Sequence, residues 1–354
     1  MSQSHEPLGV DAFLAELRDR TANGVSTIAL ENGELPVWVS LQDSPSVIFT
    51  FTGAANRNKP LPQFASTGLG KRVSASVIAL ADPSLDRHDE MRLAWYAGHE
   101  GFELQKMLPA LLQQIIDSLG ATRAAFVGGS GGGFAALYYS SRIPGSVAIV
   151  LNPQTNLNKY HWGHRRRYRD VCWPALDGKT PLDSVIDADL KPLYGAESQN
   201  TAIFIQIASD YFHLTNQFAP FVSSLPSEFR NRLIVRVANW GVDGHKPAPT
   251  SVWIPWLVAA LSAPDTSAAA IEETWVMQNP VPLPSARNSA RAGSSSEAGA
   301  SHATGTADAE FPLRRAASLL STRPANRDEE IAAWIAHNAA GTLLGPLATP
   351  DDSA

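Results

Sequence analysis

The feature that most constrains the fold of this chain is the glycine-rich turn Gly128-Gly129-Ser130-Gly131-Gly132, which follows an apolar run and precedes a helix-like segment. A serine at a strand-to-helix turn takes a strained backbone conformation and needs neighbours that lack a Cβ. Glycines on both sides of Ser130 meet that need, and the turn fits the pattern G-x-S-x-G. The turn therefore predicts a reactive serine at the end of a strand, with the Gly131 amide directed at a developing oxyanion.

A glycine-rich turn can also bind a phosphate or simply link a strand to a helix. No Gly-Lys-Ser/Thr follows this turn, which excludes a P-loop. The dinucleotide-binding fingerprint fails as well, because Phe134 stands where its third glycine belongs and the turn lies far from the first strand. The nucleophile is thus the favoured interpretation, and a linking turn without chemistry is the alternative.

Strand-like and helical patterns alternate along most of the chain. Asn32-Gly33 between the first two apolar runs is a hairpin signal, and eight apolar positions at helical spacing predict a helix over 103–119. The predicted strands cover 25–30, 35–41, 46–51, 73–80, 124–127, 147–151, 202–208 and 233–237, and the other predicted helices cover 11–20, 134–139, 218–230 and 251–261. This alternation predicts an α/β fold whose mostly parallel sheet is covered on both faces.

Composition divides the chain into a core and a C-terminal extension. We expect one domain over 1–264, in which residues 152–199, rich in Trp, Tyr, Arg and Pro, form an insertion over the active site. Residues 265–310 are rich in Ala, Ser, Gly and Thr and are predicted to be a flexible linker. Residues 311–354 are expected to form a small helical segment that contacts the core or a partner protein, because Ile331, Trp334 and Ile335 share one helical face.

The strand, glycine turn and helix resemble the α/β-hydrolase superfamily over residues 37–261. The resemblance implies a three-layer sandwich and a triad in the order nucleophile, acid, histidine. Within that superfamily, two segments resemble a group of bacterial proteins, some of which are similar to the acyltransferase-like component of accessory secretion systems. The segments are Gly129-Ser130-Gly131-Gly132-Gly133-Phe134-Ala135-Ala136-Leu137 and Leu151-Asn152-Pro153-Gln154.

Order along the chain then selects the partners of the serine. Asp210 follows the apolar run 203–207, where the acid of a triad belongs, although an aspartate there can equally close an Asx turn or cap a helix. His245 lies in the loop between the last predicted strand and the last predicted helix, where the superfamily keeps its base. The competing residues are Asp177, Asp187 and Asp189 for the acid, and His99 and His213 for the base.

These residues predict a serine hydrolase that cleaves an ester or related acyl bond. Ser130 would attack the acyl carbon, His245 would transfer the proton, and Asp210 would hold the imidazole. By superfamily position, the resemblance implies that Ala54 supplies a second oxyanion amide beside that of Gly131. An acyltransferase that passes the acyl group to a glycan or polymer hydroxyl would use the same residues. A non-catalytic hydrolase-fold binding or assembly protein is a third alternative.

Two further features concern ligands. Arg165 and Arg166, in the basic run 165–169, could bind an anionic substrate group through bidentate hydrogen bonds, although such a run is more often a solvated face. His161 and His164 have a spacing that could start a metal site. No clear third ligand lies nearby in the sequence, so we expect neither a metal nor another cofactor.

Composition argues against several classes of partner. A formal net charge of -6 argues against nucleic-acid binding, for which an excess of positive charge is expected. The longest apolar run, 252–261, is half as long as a membrane span, and no secretory signal opens the sequence. We therefore expect a cytoplasmic protein that acts on a small-molecule or glycan-linked acyl substrate. The single cysteine, Cys172, is expected to be a small buried side chain.

Overall fold

The computed structural model describes residues 6–195 and 197–279, and nine strands within these ranges form one sheet. The strands are β1 Leu8–Gly9, β2 Gly24–Leu30, β3 Gly33–Ser40, β4 Ser46–Phe51, β5 Ser76–Leu80, β6 Arg123–Gly129, β7 Val147–Leu151, β8 Thr201–Ile207 and β9 Leu233–Ala238. Their order across the sheet is β1-β2-β3-β5-β4-β6-β7-β8-β9. Only β3 runs antiparallel to its neighbours, so the predicted mostly parallel sheet is confirmed.

Ten α-helices accompany the sheet in the described ranges. They are α1 Val10–Arg18, α2 Leu69–Val73, α3 Leu104–Ser118, α4 Gly131–Ser141, α5 Trp162–Cys172, α6 Tyr211–His213, α7 Ala219–Ser224, α8 Ser227–Arg230, α9 Thr250–Ser262 and α10 Ala268–Gln278. Helices α1, α3 and α4 pack in one hydrophobic cluster, and α9 and α10 pack in a second cluster on the other face. This arrangement is the three-layer sandwich predicted for the core.

The sequence patterns explain why these elements form. All side chains of β4, β5, β7 and β8 are buried, as continuous apolar strands require when helices cover both faces. Helix α3 buries its apolar stripe, and each fully buried leucine or isoleucine on it contributes about 2 kcal/mol to the free energy of unfolding. The predicted hairpin joins β2 to β3, with Asn32 at a φ of 65°.

Two predicted elements differ from the structure in the middle of the chain. The helix predicted over 218–230 is interrupted, because Leu225 has an extended backbone before Pro226, as proline favours for its predecessor. The strand predicted over 73–80 begins at Ser76, since Val73 ends helix α2. Both errors move element ends without changing the fold.

The predicted domain boundary at residue 264 is wrong, and so is the predicted linker over 268–278. Those residues form helix α10, which is rich in alanine, a strong helix former. Its Ser267 cap accepts a hydrogen bond from the Ala270 amide at 3.2 Å. Ile271 is fully buried, and the Trp275 ring stacks on Trp256 with centroids 4.7 Å apart. Residues 280–310 of the predicted linker and the helical segment predicted over 311–354 lie outside the described residues.

Two narrower expectations concern a side chain and a membrane span. Cys172 is buried, as expected, and burial raises the pKa of its thiol to about 12. Among the described residues, no helix has the length and apolar character that crossing a membrane requires.

Candidate active site

Ser130 lies at the turn between β6 and α4 in a strained conformation, with φ 53° and ψ −119°. A positive φ is uncommon for a residue with a side chain and persists only where the surroundings hold it. The Ser130 amide donates to the Leu151 carbonyl at 2.9 Å, and its carbonyl accepts from the Gln154 amide at 3.1 Å. The segment that ends β7 therefore holds the serine in place.

Glycines permit this turn for a steric reason. A Cβ on Gly128 would lie 2.1 Å from the carbonyl oxygen of Gly132. A Cβ on Gly132 would lie 2.4 Å from the carbonyl oxygen of Phe51 in β4. Real Cβ atoms do not approach backbone oxygens so closely, so the turn requires glycine at both positions.

The structure brings the three predicted triad residues together. His245 Nε2 lies 3.0 Å from Ser130 Oγ, and His245 Nδ1 lies 2.6 Å from Asp210 Oδ2. Because an ionised carboxylate can only accept hydrogen bonds, the proton belongs on Nδ1 and Nε2 is left to accept the serine hydroxyl. The three side chains thus form one hydrogen-bonded chain at the carboxyl ends of β6, β8 and β9.

The other sequence candidates have different partners. The carboxylates of Asp177, Asp187 and Asp189 hydrogen-bond to Thr180, Arg142 and Asn156, respectively. His99 Nδ1 lies 3.1 Å from Ser84 Oγ, and burial together with nearby Arg87 lowers its pKa to about 4. None of these contacts involves Ser130.

His213 shares the carboxylate of Asp210 with His245. Its Nδ1 lies 3.0 Å from Asp210 Oδ1, and its ring stacks on that of His245 at a centroid distance of 3.9 Å and an interplanar angle of 8°. Burial lowers the pKa of His213, which favours the neutral imidazole, although its hydrogen bond to Asp210 opposes this shift. Burial disfavours the ionised form of Asp210, but hydrogen bonds from His213 and His245 outweigh it and hold the pKa of Asp210 well below its usual range.

Gln154 is a site residue for which the sequence analysis proposed no role. Its buried side chain donates from Nε2 to Ser130 Oγ at 3.0 Å and accepts at Oε1 from the Trp95 indole at 2.5 Å. One signal was available in the sequence: Gln154 follows β7, and the carboxyl ends of parallel strands meet at one edge of a sheet. The contact with Trp95 spans 59 residues and has no local sequence pattern.

A cavity of about 380 Å³ opens beside the serine. Ser130, His245 and Ala54 line it, together with apolar side chains that include Phe51 and Trp253. The amide of Gly131 opens helix α4, and the first amides of a helix have no partner within it. Ala54 and Ser130 therefore share one cavity, while the donor roles of Ala54 and Gly131 stay predictions.

Aromatic and imidazole rings cluster around Tyr160. The Tyr160 ring packs edge-on against Trp95 and stacks on His164, with ring centroids 6.2 and 5.8 Å apart, respectively. The His161 ring stacks on Phe212 at a centroid distance of 4.1 Å. Burial raises the pKa of the Tyr160 hydroxyl, and interactions with the side chains of Ser130 and Gln154 oppose that rise. These interactions indicate that the Tyr160 side chain lies close to Ser130 and Gln154.

The two arginines predicted to bind an anion lie on helix α5. Arg166 donates to Asp170 at 3.3 Å, and its guanidinium lies 5.0 Å from the ring centre of Trp162. Arg165 is half-buried, and its buried Nε has no hydrogen-bond partner among the described residues. Arg166 is therefore engaged with its own helix, whereas Arg165 has an unused donor.

One group of side chains has the composition of a metal site. In the described part of the chain, three residues offer ligand atoms within 4.8 Å of one another: Asp210, His213 and His245. Both imidazoles already hydrogen-bond to the carboxylate through Nδ1, so a metal ion there would replace these bonds. His161 and His164 are not part of such a group.

Comparison with known proteins finds likeness only among solved structures. No family model and no curated protein matches the chain. The capsule O-acetyltransferase of Neisseria meningitidis serogroup A is 16% identical, with 63% of this chain and 88% of that chain covered and a TM-score of 0.47. Carboxyl esterase 2 from Tuber melanosporum is 15% identical, with 71% and 84% covered and a TM-score of 0.44. Pyrococcus horikoshii acylaminoacyl peptidase is 14% identical, with 65% and 38% covered and a TM-score of 0.45.

All three are α/β-hydrolase-type structures. At such identities and TM-scores the likeness carries no information about substrate or reaction. The strand order of the sheet and the strained serine between β6 and α4 are properties of this chain itself. On those two features, the chain has the α/β-hydrolase fold.

Proposed function

We propose that this protein is a serine hydrolase that cleaves an ester or related acyl bond. The observation that carries the proposal is the hydrogen-bonded chain from Ser130 Oγ through His245 to Asp210, with distances of 3.0 and 2.6 Å. A serine hydroxyl is a weak nucleophile until a base takes its proton. His245 Nε2 is within reach of that proton, and Asp210 keeps Nδ1 protonated so that Nε2 can accept it.

The proposed reaction passes through an acyl-enzyme. Ser130 Oγ bonds to the acyl carbon while its proton moves to His245 Nε2, and the carbonyl π electrons move to the oxygen. The amides of Gly131 and Ala54 are proposed to donate to this oxyanion. When the electrons return, the bond to the leaving alcohol breaks, and the alcohol takes the proton from His245. Water then repeats the same steps and releases the acid.

An acyltransferase is the second candidate function, and the ring-lined side of the site favours it. Tyr160 interacts with the Ser130 side chain, and its ring packs against the rings of His161, His164 and Phe212. Such rings offer a large contact area at low conformational cost, which suits an acceptor bulkier than water. A glycan or polymer hydroxyl bound there would take the place of water in the second half of the reaction.

Recognition of an anionic substrate group is a narrower proposal. Arg165 has a buried Nε without a hydrogen-bond partner among the described residues, and arginine suits carboxylate or phosphate recognition. We favour Arg165 over Arg166, whose guanidinium already contacts Asp170 and Trp162. Arg165→Gln should then weaken hydrolysis of an anionic ester, p-nitrophenyl hemisuccinate, more than that of the neutral p-nitrophenyl acetate.

A fluorophosphonate probe tests the proposed function. We expect it to modify Ser130 in the full-length protein, as located by peptide mass spectrometry, and the label to be lost in Ser130→Ala and His245→Ala. His88→Ala is the control, because the side chain of this exposed histidine caps a local turn. Absence of label on folded wild-type protein would contradict catalysis and favour a binding protein.

If labelling occurs, a second experiment distinguishes a hydrolase from an acyltransferase. It compares release of acetate from p-nitrophenyl acetate to water with transfer of the acetyl group to added glycans.

A further inference from the structure

The side-chain amide of Gln154 has a fixed orientation. The nitrogen and oxygen of an amide are normally hard to distinguish, but an indole N–H can only donate. Because Trp95 Nε1 lies 2.5 Å from one end of the amide, that end is Oε1. The NH₂ end therefore faces Ser130 Oγ, at 3.0 Å. Gln154 is fully buried, which leaves its side chain little freedom to turn.

This orientation gives the hydrogen bonds from Gln154 through Ser130 and His245 to Asp210 a single direction. Gln154 donates to Ser130 Oγ, Ser130 donates its own proton to His245 Nε2, and His245 donates from Nδ1 to Asp210. Because Gln154 supplies the proton in its contact with Oγ, the hydroxyl proton of Ser130 is free to point at His245. Each bond in such a chain strengthens the next one.

Trp95 also locates the Gln154 amide relative to the predicted oxyanion donor. A Cβ on Gly131 would lie 3.5 Å from Trp95 Nε1, so the indole N–H lies beside the first residue of α4. The same N–H holds Gln154 Oε1. Through Trp95, the amide of Gln154 is thus held near the first residue of α4, whose own amide is the predicted oxyanion donor.

We propose that Gln154 is a catalytic residue, a side-chain donor to the oxyanion that Trp95 holds in the correct orientation. The inference rests on the proposed function. At rest, Nε2 donates to Ser130 Oγ. As Oγ bonds to the acyl carbon, the carbonyl π electrons move to the oxygen, and the Gln154 N–H bonds to that oxygen, which is attached to the same carbon. When the electrons return and the leaving group departs, the N–H returns to Oγ.

Replacing oxygen by sulfur in the probe tests this role. A fluorophosphonate has a P=O oxygen that mimics the oxyanion, and its thiophosphoryl analogue has a sulfur that accepts hydrogen bonds poorly. We expect Gln154→Met, which keeps length but removes the donor, to slow modification of Ser130 by the P=O probe about a hundredfold. Modification by the P=S probe should slow much less. The ratio of the rate constant for the P=O probe to that for the P=S probe therefore falls in this variant.

Two further variants separate donation from structural support. Trp95→Phe removes the N–H that orients the amide and should also lower the ratio, by less than Gln154→Met. Gln206→Met is the control, because Gln206 is a buried glutamine of β8 that donates to the Ile207 carbonyl. It should leave the ratio unchanged.

The outcomes distinguish this proposal from the proposed function. If Gln154→Met slows both probes equally, Gln154 only supports Ser130 and the proposal is wrong, whereas the hydrolase function stands. If the rates in Gln154→Met equal those of wild type, the proposal is also wrong. Wild-type protein that reacts with neither probe contradicts the hydrolase function, and the oxyanion role with it.

Discussion

Asp210 is the residue that holds both histidines of the candidate site. One carboxylate oxygen accepts from His245 and the other from His213, and the two imidazoles lie face to face. Hydrogen bonds to both oxygens keep the carboxylate ionised although it is buried. The stacked ring of His213 also limits rotation of His245. Two histidines on one acid therefore fix the ring that faces the serine.

Asp210→Asn tests this arrangement at the scale of one residue. The amide of asparagine offers an N–H where His245 Nδ1 needs an acceptor, so the imidazole would favour the wrong tautomer. We expect the rate of Ser130 modification by a fluorophosphonate to fall by about three to four orders of magnitude. Asp170→Asn, which alters an exposed ion pair on α5, should stay near the wild-type rate. A folded Asp210→Asn protein that reacts within tenfold of wild type would refute the role of this acid.

Sequence alone could predict which three side chains meet at the candidate site, but not all of their neighbours. Ser130 has a local pattern, and Asp210 and His245 each follow a strand in the order of a known superfamily. His213 and Gln154 are brought to the site by contacts that no spacing encodes: a ring stack between helix α6 and the loop that carries His245, and a hydrogen bond to an indole 59 residues away. Such contacts depend on how the strand ends meet, which only the folded sheet defines.

At the scale of elements, the turn between β6 and α4 depends on glycine at a position that touches a neighbouring strand. Gly132→Ala would bring a Cβ within 2.4 Å of the Phe51 carbonyl oxygen. Strand β4 cannot retreat, because it pairs with β5 on one side and β6 on the other. We expect a loss of more than about 3 kcal/mol in the free energy of unfolding, measured in urea.

Gly163→Ala is the matched control for that substitution. Gly163 lies in helix α5, and no atom approaches within 4 Å of its Cβ position. Alanine favours a helix over glycine by about 1 kcal/mol, so this variant should equal or exceed wild-type stability. The steric argument fails if Gly132→Ala unfolds within 1 kcal/mol of wild type.

Asp82 links the end of β5 to the segment that contains Trp95. Its carboxylate accepts from the Ser84 amide at 3.1 Å and from the Tyr96 amide at 2.7 Å. Burial raises its pKa from 3.8 to about 6, against the effect of these two hydrogen bonds. The folded state therefore binds a proton more tightly than the unfolded state does.

The sign of this shift predicts how stability depends on pH. The contribution of Asp82 to stability is present below pH 3.8 and is lost as the pH rises through about 6. Between these values, wild-type protein should lose about 3 kcal/mol relative to Asp82→Asn, which does not titrate. Urea unfolding of both proteins from pH 4 to 7 measures the difference. A difference that is constant over this range would contradict burial of an ionisable Asp82.

At the scale of the whole molecule, the sheet order explains why distant residues meet. The segments that follow β4, β6, β7, β8 and β9 all lie at one edge, since these strands are parallel neighbours. They carry Ala54, Ser130, Gln154, Asp210 and His245. Continuous apolar runs made the core strands predictable. The boundary at residue 264 was mispredicted because a low-complexity composition hid the apolar face of α10.

Helix α10 provides a test of where the folded unit ends. Ile271 is fully buried beside α9, and Trp256 and Trp275 stack with an interplanar angle of 6°. In the full-length protein, Ile271→Ala should lower the free energy of unfolding by about 3 kcal/mol, because it leaves a cavity in the second core. Met277→Ala, on the same helix at 66% exposure, should change it by less than about 0.5 kcal/mol. Equal unfolding midpoints for Ile271→Ala and wild type would show that residues 268–278 are not packed against the core, because shortening an unpacked side chain leaves the free energy of unfolding unchanged.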